Sequence, residues 1–121
     1  MYLIFHINAG DCGACAAELW AAVENAADLA WANTPAGADV IALTGSVPLA
    51  ARVALALLEG ARSTPLVVVG RCAVDGYPFG RGGYLAVPEL KPVLIVGGWP
   101  PVPEEIRNVL LEAARDKTRR P

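Results

Sequence analysis

Two short runs of the sequence are apolar on both faces, and they limit the possible folds more than any other feature. The runs are LVVVG at 66–70 and VLIVGG at 93–98, and each is too short for a buried helix. A strand that is apolar on both faces needs cover on both sides, as in a parallel sheet between layers of helices. We therefore expect both runs to be central strands of a parallel sheet.

The remaining segments alternate between patterns typical of strands and of helices. Strands are predicted at 2–8, 28–33 and 39–45, and helices at 13–27, 46–61 and 103–115. In the first helix we expect Leu19, Trp20 and Val23 to share the stripe that faces the core. This alternation predicts an α/β fold, a three-layer sandwich with a mostly parallel sheet. At 121 residues the chain is expected to be a single domain, 1–121, with a frayed basic tail at 116–121.

The balance of charge excludes two classes of partner. Lys and Arg number 10 against 12 Asp and Glu, so the chain lacks the basic excess by which proteins bind nucleic acid. Arg52, Glu59 and Arg62 interrupt the longest apolar run, so no run approaches a membrane span. The start, MYLIFHIN, is typical of a strand and not of a signal peptide. We expect a cytoplasmic protein without direct membrane insertion, held peripherally at the inner membrane only through a complex.

The composition indicates a surface that is partly covered. Apolar residues make up 55% of the chain and charged residues only 18%, against about 25% charged in an average globular domain. We expect the excess to form one apolar patch on the loops around Pro48, 77–79 and 100–101. A partner subunit or self-association through this face would cover it.

The three cysteines all fall on loops that follow predicted strands. Cys12 and Cys15 form a CxxC after the first strand, and Cys72 follows the fourth. The carboxyl ends of parallel strands meet at one edge of a sheet, so we expect the three sulfurs to lie close together. Thiolates on short glycine-rich loops, here with Gly10 and Gly98, are the ligands that an iron–sulfur cluster requires.

Other interpretations of these cysteines stay open. A strand, a turn, a CxxC and a helix also open a thioredoxin-like domain, in which Cys12 and Cys15 would be a redox dithiol. Buried cysteines can also simply be small apolar residues of a core.

Outside the cysteines, His6 lies in the middle of a strand and is expected to be a hydrogen-bonded core imidazole.

Four segments of the chain resemble a known family. They are GDCGACAAELW, ADVIALTGSVPLAARVALALL, PLVVVGRCAVDGYPFGRGG and VLIVGGWPPVPEEIRNVLLEA, in order from Gly10 to Ala113. Together they resemble the small cluster-bearing subunit of nickel–iron hydrogenases and the 20 kDa subunit of respiratory complex I. The resemblance implies a flavodoxin-like domain with one 4Fe-4S cluster on the loops that carry Cys12, Cys15 and Cys72. The CxxC spacing resembles the hydrogenase branch, and Glu18 matches an acidic residue of the family.

The chain departs from the family at the fourth ligand. The family has Gly-Cys-Pro-Pro where this sequence has Gly98-Trp99-Pro100-Pro101. An indole cannot ligate iron, because its N–H is only a donor. The resemblance then leaves three outcomes. One is a 4Fe-4S cluster with one iron open to water, a small ligand or a carboxylate such as Asp11 or Asp75. The others are a 3Fe-4S cluster, and a lost cluster whose volume Trp99 fills.

The resemblance implies a role in electron transfer. The chain would be a non-catalytic subunit that relays single electrons to or from a hydrogenase-like or complex I-like large subunit. The alternative is an interaction subunit that retains the fold and has lost the cluster.

Overall fold

The computed structural model describes residues 1–10, 13–76, 82–98 and 101–119. Its strands are β1 (Tyr2–Asn8), β2 (Leu29–Trp31), β3 (Val40–Thr44), β4 (Leu66–Val69) and β5 (Leu94–Val96). Its helices are α1 (Ala14–Glu24), α2 (Leu49–Ala61), α3 (Arg71–Asp75) and α4 (Pro103–Arg119), with a 3₁₀ turn at Gly83–Ala86. All five strands and the three long helices occur where the sequence predicts them. The short helix α3 and the 3₁₀ turn were not predicted, and α4 continues to Arg119, beyond the predicted end near Arg115.

The five strands form one parallel sheet in the order β2-β1-β3-β4-β5. This is the flavodoxin-like order, in which the chain runs from β1 to one side and then returns past β1 to the other. Along β3, Val40 and Ala42 face one core and Ile41 and Leu43 face the other. Helices α1 and α4 cover the first face, and α2, α3 and the 3₁₀ turn cover the second. The predicted α/β three-layer sandwich is confirmed.

The position of β5 corrects one prediction. We expected the run at 93–98 to be a central strand, but among the described residues β5 lies at the edge of the sheet and pairs only with β4. Val96 is buried against the α4 side, whereas Ile95 points to the other face and is 44% exposed. An apolar pattern shows that a strand is suited to burial, but it does not show which neighbours the strand has.

The second face of the sheet is only partly covered. Residues 32–39 connect β2 to β3 by turns, without the helix that would pack over β1 on this side. Phe5 and Ile7 of β1 point to this face and are half-buried. The side chains of β1 on this face are therefore only partly covered.

Trp20 corrects the predicted stripe of α1. Leu19 and Val23 are buried, as expected, but Trp20 is 51% exposed and stacks against Trp31 with ring centroids 4.8 Å apart. Its indole Nε1 donates a hydrogen bond to His6 Nδ1 at 3.1 Å. The large side chain therefore lies where its N–H finds an acceptor, at the margin of the core.

His6 is hydrogen-bonded through both ring nitrogens. Because an indole N–H can only donate, Nδ1 accepts the bond from Trp20 and the imidazole is neutral with its proton on Nε2. That proton is donated to the hydroxyl of Thr44, 2.8 Å away. The imidazole is satisfied, as the sequence predicts, but it is half-buried and not deep in the core.

Candidate functional site

The loops after β1 and β3 are joined by direct backbone contact at the carboxyl edge of the sheet. Ala9 N–H donates to the Thr44 carbonyl at 2.8 Å, and Val47 N–H donates to the Ala9 carbonyl at 3.0 Å. Gly45 has a φ of 107°, and a Cβ there would lie only 2.8 Å from the backbone nitrogen of Ala9. Only glycine combines this conformation with so close an approach.

Ser46 strengthens this junction, and its role was not predicted from the sequence. It is fully buried, and both its hydroxyl and its N–H donate to the Gly10 carbonyl, at 3.1 and 3.3 Å. Its own carbonyl accepts from Gly83 N–H at 3.0 Å. Ser46 thus joins three segments at this edge. The available signal was a short polar segment, Thr44-Gly45-Ser46, at the end of an otherwise apolar strand.

Cys15 lies at the carboxyl edge of the sheet, in the first turn of α1. Gly13, with a φ of 95°, is the N-cap of the helix, and Cys15 is fully buried. Its Sγ occupies the space beside Gly70 that a side chain would otherwise fill. A Cβ on Gly70 would overlap this sulfur and would lie 2.7 Å from the Cβ of Cys15 and 3.6 Å from Cδ of Pro101. The segments that follow β1, β4 and β5 therefore meet beside Gly70.

Cys72 lies two residues after Gly70 at the same edge. We expected it on a loop, but it is the second residue of α3, where it is fully buried. The backbone before it is held to the segment after β5, because Gly70 N–H donates to the Val96 carbonyl at 2.7 Å and Arg71 N–H donates to the Gly98 carbonyl at 2.8 Å. Cys15, whose sulfur lies beside Gly70, and Cys72, two residues after Gly70, are therefore both at the carboxyl edge of the sheet.

The other predicted site residues differ in what the structure shows of them. Cys12, Asp11 and Trp99 lie outside the described residues, so their roles stay predictions. Glu18 is half-buried on α1, one turn beyond Cys15. Asp75, which we considered as a carboxylate ligand, is exposed on α3.

The backbone conformation of two loop glycines and one surface ion pair also bear on the proposed site. Gly10 and Gly98 have φ values of 77° and 107°, so both loops use conformations that favour glycine. Asp75 forms a 3.4 Å ion pair with Arg71 on the surface of α3. This pairing gives the carboxylate a partner other than iron.

The described residues fit part of an iron–sulfur site. Cys15 and Cys72 bring two buried sulfurs, soft donors of the kind that iron–sulfur clusters use, and the missing side chain of Gly70 makes room for the sulfur of Cys15. Within the described ranges, no group of three or more His, Cys, Asp or Glu is placed to hold a metal ion. The third predicted ligand, Cys12, belongs to the residues outside those ranges.

The apolar surface differs in part from the patch that we predicted. Pro48 is half-buried and Pro101 is buried, so Pro101 does not contribute to an exposed patch. Residues 77–79 and Pro100 lie outside the described residues. The exposed apolar side chains near Pro48 continue along α2, away from the edge that carries the cysteines.

Comparisons with known proteins agree with this architecture. The chain matches the family model described as NADH ubiquinone oxidoreductase, 20 Kd subunit, over residues 12–113. It is also similar in structure, with a TM-score of 0.65, to a chain of the membrane-bound sulfane sulfur reductase (MBS), an archaeal respiratory membrane complex. That similarity covers 96% of this chain and 70% of the other at 15% identity, so it supports the fold alone. No curated protein matches the chain by sequence.

Two further findings bear on the alternatives. The family match and the flavodoxin-like strand order both favour the flavodoxin-like interpretation over a thioredoxin-like one. In the part of the chain that the structure describes, no helix combines the length and the apolar character needed to cross a membrane.

Proposed function

The chain belongs to the NADH ubiquinone oxidoreductase 20 kDa subunit family, and we propose that it is the electron-transfer small subunit of a hydrogenase-like or complex I-like oxidoreductase. It would hold one iron–sulfur cluster on Cys12, Cys15 and Cys72. The observation that carries this proposal is the full burial of Cys15, beside Gly70, and of Cys72, two residues after it. Two fully buried sulfurs at the carboxyl edge of a parallel sheet are where a cluster-bearing subunit needs them.

Each of the chain's own residues has a defined task in this proposal. A bound cluster would supply reversible one-electron transfer and no bond chemistry, so the chain itself is not a catalyst. Cys15 lies in the first turn of α1, where the positive end of the helix dipole favours a thiolate. Gly70 leaves the space that the sulfur of Cys15 occupies, and the full burial of both cysteines excludes water from them.

The type of cluster follows from the number of thiolates. Three cysteines suit a 3Fe-4S cluster, or a 4Fe-4S cluster with one iron open to water or a small ligand. Trp99 stands where the family resemblance places the fourth cysteine, and an indole has no lone pair to offer iron.

The partner and the location follow from the same resemblance. We propose that a larger oxidoreductase subunit covers the cysteine-bearing edge and exchanges single electrons with it. The complex would be cytoplasmic and would lie peripherally at the inner membrane.

One observation favours a second candidate function. The replacement of the fourth cysteine by Trp99 is also what a cluster-free interaction subunit of this fold would show. Such a subunit would retain the partner interface, and its cysteine-bearing edge would be filled by side chains.

Iron binding separates the two candidates. The chain is purified without oxygen and reconstituted with iron and sulfide, and iron, sulfide and the low-temperature EPR spectrum are measured. We expect Cys15→Ser and Cys72→Ser to lose most of the bound iron, while the control Ala17→Ser on the exposed side of α1 retains it. Circular dichroism of the iron-free variants checks that they fold. A colourless parent chain without stoichiometric iron would establish the second candidate, and serine variants that bind as much iron as the parent would refute the assignment of ligands.

A further inference from the structure

The backbone is strained at Val47, in the loop between β3 and α2. Among the described residues, only Val47 combines a side chain with a positive φ, of 61°. A β-branched residue is an outlier in this conformation, because its Cβ crowds the carbonyl oxygen that follows. The next residue is Pro48, and a residue before proline is normally extended, with a φ of about −120°. Val47 is fully buried, so its surroundings hold it in the strained conformation.

Two hydrogen bonds of a single peptide group hold Val47 in place. The Val47 N–H donates to the Ala9 carbonyl at 3.0 Å, and the Ser46 carbonyl of the same peptide accepts from Gly83 N–H at 3.0 Å. We name the peptide between Ser46 and Val47, with these two partners, the latch. Rotation of this peptide by ~180° brings the φ of Val47 to about −120° and breaks both bonds. Strain and hydrogen bonding therefore act in opposite directions at one peptide.

The two partners of the latch adjoin the two buried cysteines. Ala9 begins the loop that leads to α1 and Cys15. Gly83 lies directly on α3, because a Cβ on it would be only 2.8 Å from the backbone nitrogen of Asp75. Cys72 belongs to the same short helix. One strained peptide therefore joins the segments next to both sulfurs.

We propose that the latch lets this edge of the sheet open as a unit while the rest of the fold stays closed. In the closed state, Cys15 and Cys72 are buried and Val47 is strained. In the open state, the peptide has rotated, Val47 has a relaxed φ, and both neighbouring segments are released. The strain relieved at Val47 offsets part of the cost of the two broken bonds. The edge therefore opens at a lower free energy than the whole chain unfolds.

The opening gives reagents access to sulfurs that the closed structure buries. Iron and sulfide would reach the proposed site by this route, and that use of the latch rests on the proposed function. The opening itself does not, because it can be measured on iron-free thiols. A chain that opens as expected but binds no iron supports the latch and refutes only the proposed function.

Hydrogen exchange and thiol labelling of the iron-free chain test the proposal. One rotation frees the amides of Val47 and Gly83, so NMR should show equal protection of both, within ~5-fold. Both should exchange at least ~10-fold faster than the amide of Val68 in the central strand β4. A maleimide reacts only with the open state, and mass spectrometry follows Cys15 and Cys72 separately. Their labelling should depend only weakly on urea, since a local opening exposes little surface.

Substitutions of Val47 shift the balance between strain and opening. Val47→Gly and Val47→Ala differ by one methyl group, and only glycine adopts a positive φ without strain. Both cysteines should therefore react at least ~5-fold more slowly in Val47→Gly than in Val47→Ala, by a common factor. The matched control is Val87, which is buried in the same core but has a φ of −120°. Here Val87→Gly should react as fast as Val87→Ala or faster.

Several results would overturn the proposal. Amides of Val47 and Gly83 that differ by more than ~5-fold in protection, or that exchange only together with Val68, would show that no single peptide opens this edge. Labelling that rises with urea as steeply as global unfolding would show the same. A Val47→Gly chain that reacts as fast as the Val47→Ala chain would remove the role of strain. Circular dichroism checks that each variant folds, and the amide measurements on the parent chain need no variant.

Discussion

Substitution of Gly70 by alanine tests the close contact between this glycine and the sulfur of Cys15. Gly70 has a φ of 84° and a ψ of 158°, a region that is essentially restricted to glycine and costs other residues about 1–3 kcal/mol. The added methyl group would also overlap the sulfur of Cys15 and lie 2.7 Å from its Cβ. Overpacking of this kind in a core costs a further ~1–3 kcal/mol. We expect Gly70→Ala to lower the free energy of unfolding by about 3–5 kcal/mol.

A glycine elsewhere in the chain provides the control. Gly60 lies in α2 without a positive φ, and a methyl group added there would have no heavy atom within 4 Å beyond its own helix and chain neighbours. Because alanine is the better helix former, Gly60→Ala should be neutral or stabilise the chain by up to ~1 kcal/mol. The two variants carry the same chemical change, and only Gly70→Ala is predicted to destabilise the chain.

Urea unfolding of dilute iron-free chain, followed by circular dichroism, measures both values. The double variant Gly70→Ala with Cys15→Ala separates overlap from backbone strain. Removal of the sulfur relieves part of the overlap and none of the strain, so the double variant should be ~1–2 kcal/mol more stable than the sum of the single changes predicts. A loss below ~1 kcal/mol for Gly70→Ala, or strict additivity in the double variant, would refute the close contact between Gly70 and Cys15.

Three other predictions address the site and its surroundings. Trp99→Cys should supply the fourth ligand of the proposed cluster. Iron, sulfide and EPR analysis of the reconstituted variant should then show a more complete and more oxygen-resistant 4Fe-4S cluster. An unchanged iron content would count against residue 99 as the position of the fourth ligand. Ser46→Ala removes a buried hydroxyl that donates to the Gly10 carbonyl, which the Ser46 N–H still serves, so it should cost ~0.5–1.5 kcal/mol in urea unfolding; no loss would show that the hydroxyl is dispensable. Trp20→Phe removes the N–H donor to His6 and should lower the free energy of unfolding by about 1 kcal/mol in the same assay. An unchanged urea midpoint would contradict this prediction.

Local patterns in the sequence were enough to predict the elements and their layers. The apolar run of β4 and the alternation of strands with helices both depend on which residues each segment must bury. The spacing of apolar residues along the sequence shows which side chains those are. The same reasoning placed Cys15 and Cys72 at one edge, because the carboxyl ends of parallel strands always meet there. The likeness to a cluster-bearing family rested on short motifs at these strand ends.

The neighbours of each residue could be decided only by the tertiary structure. The sequence did not show that β5 is an edge strand, because an apolar strand has the same pattern at the centre of a sheet and beside an uncovered face. It did not show that Trp20 points outward, since that depends on a hydrogen bond to His6 on another element. The contact between Gly70 and Cys15 joins residues far apart in the chain. Side-chain pattern determines what a segment buries, and packing alone determines what it is buried against.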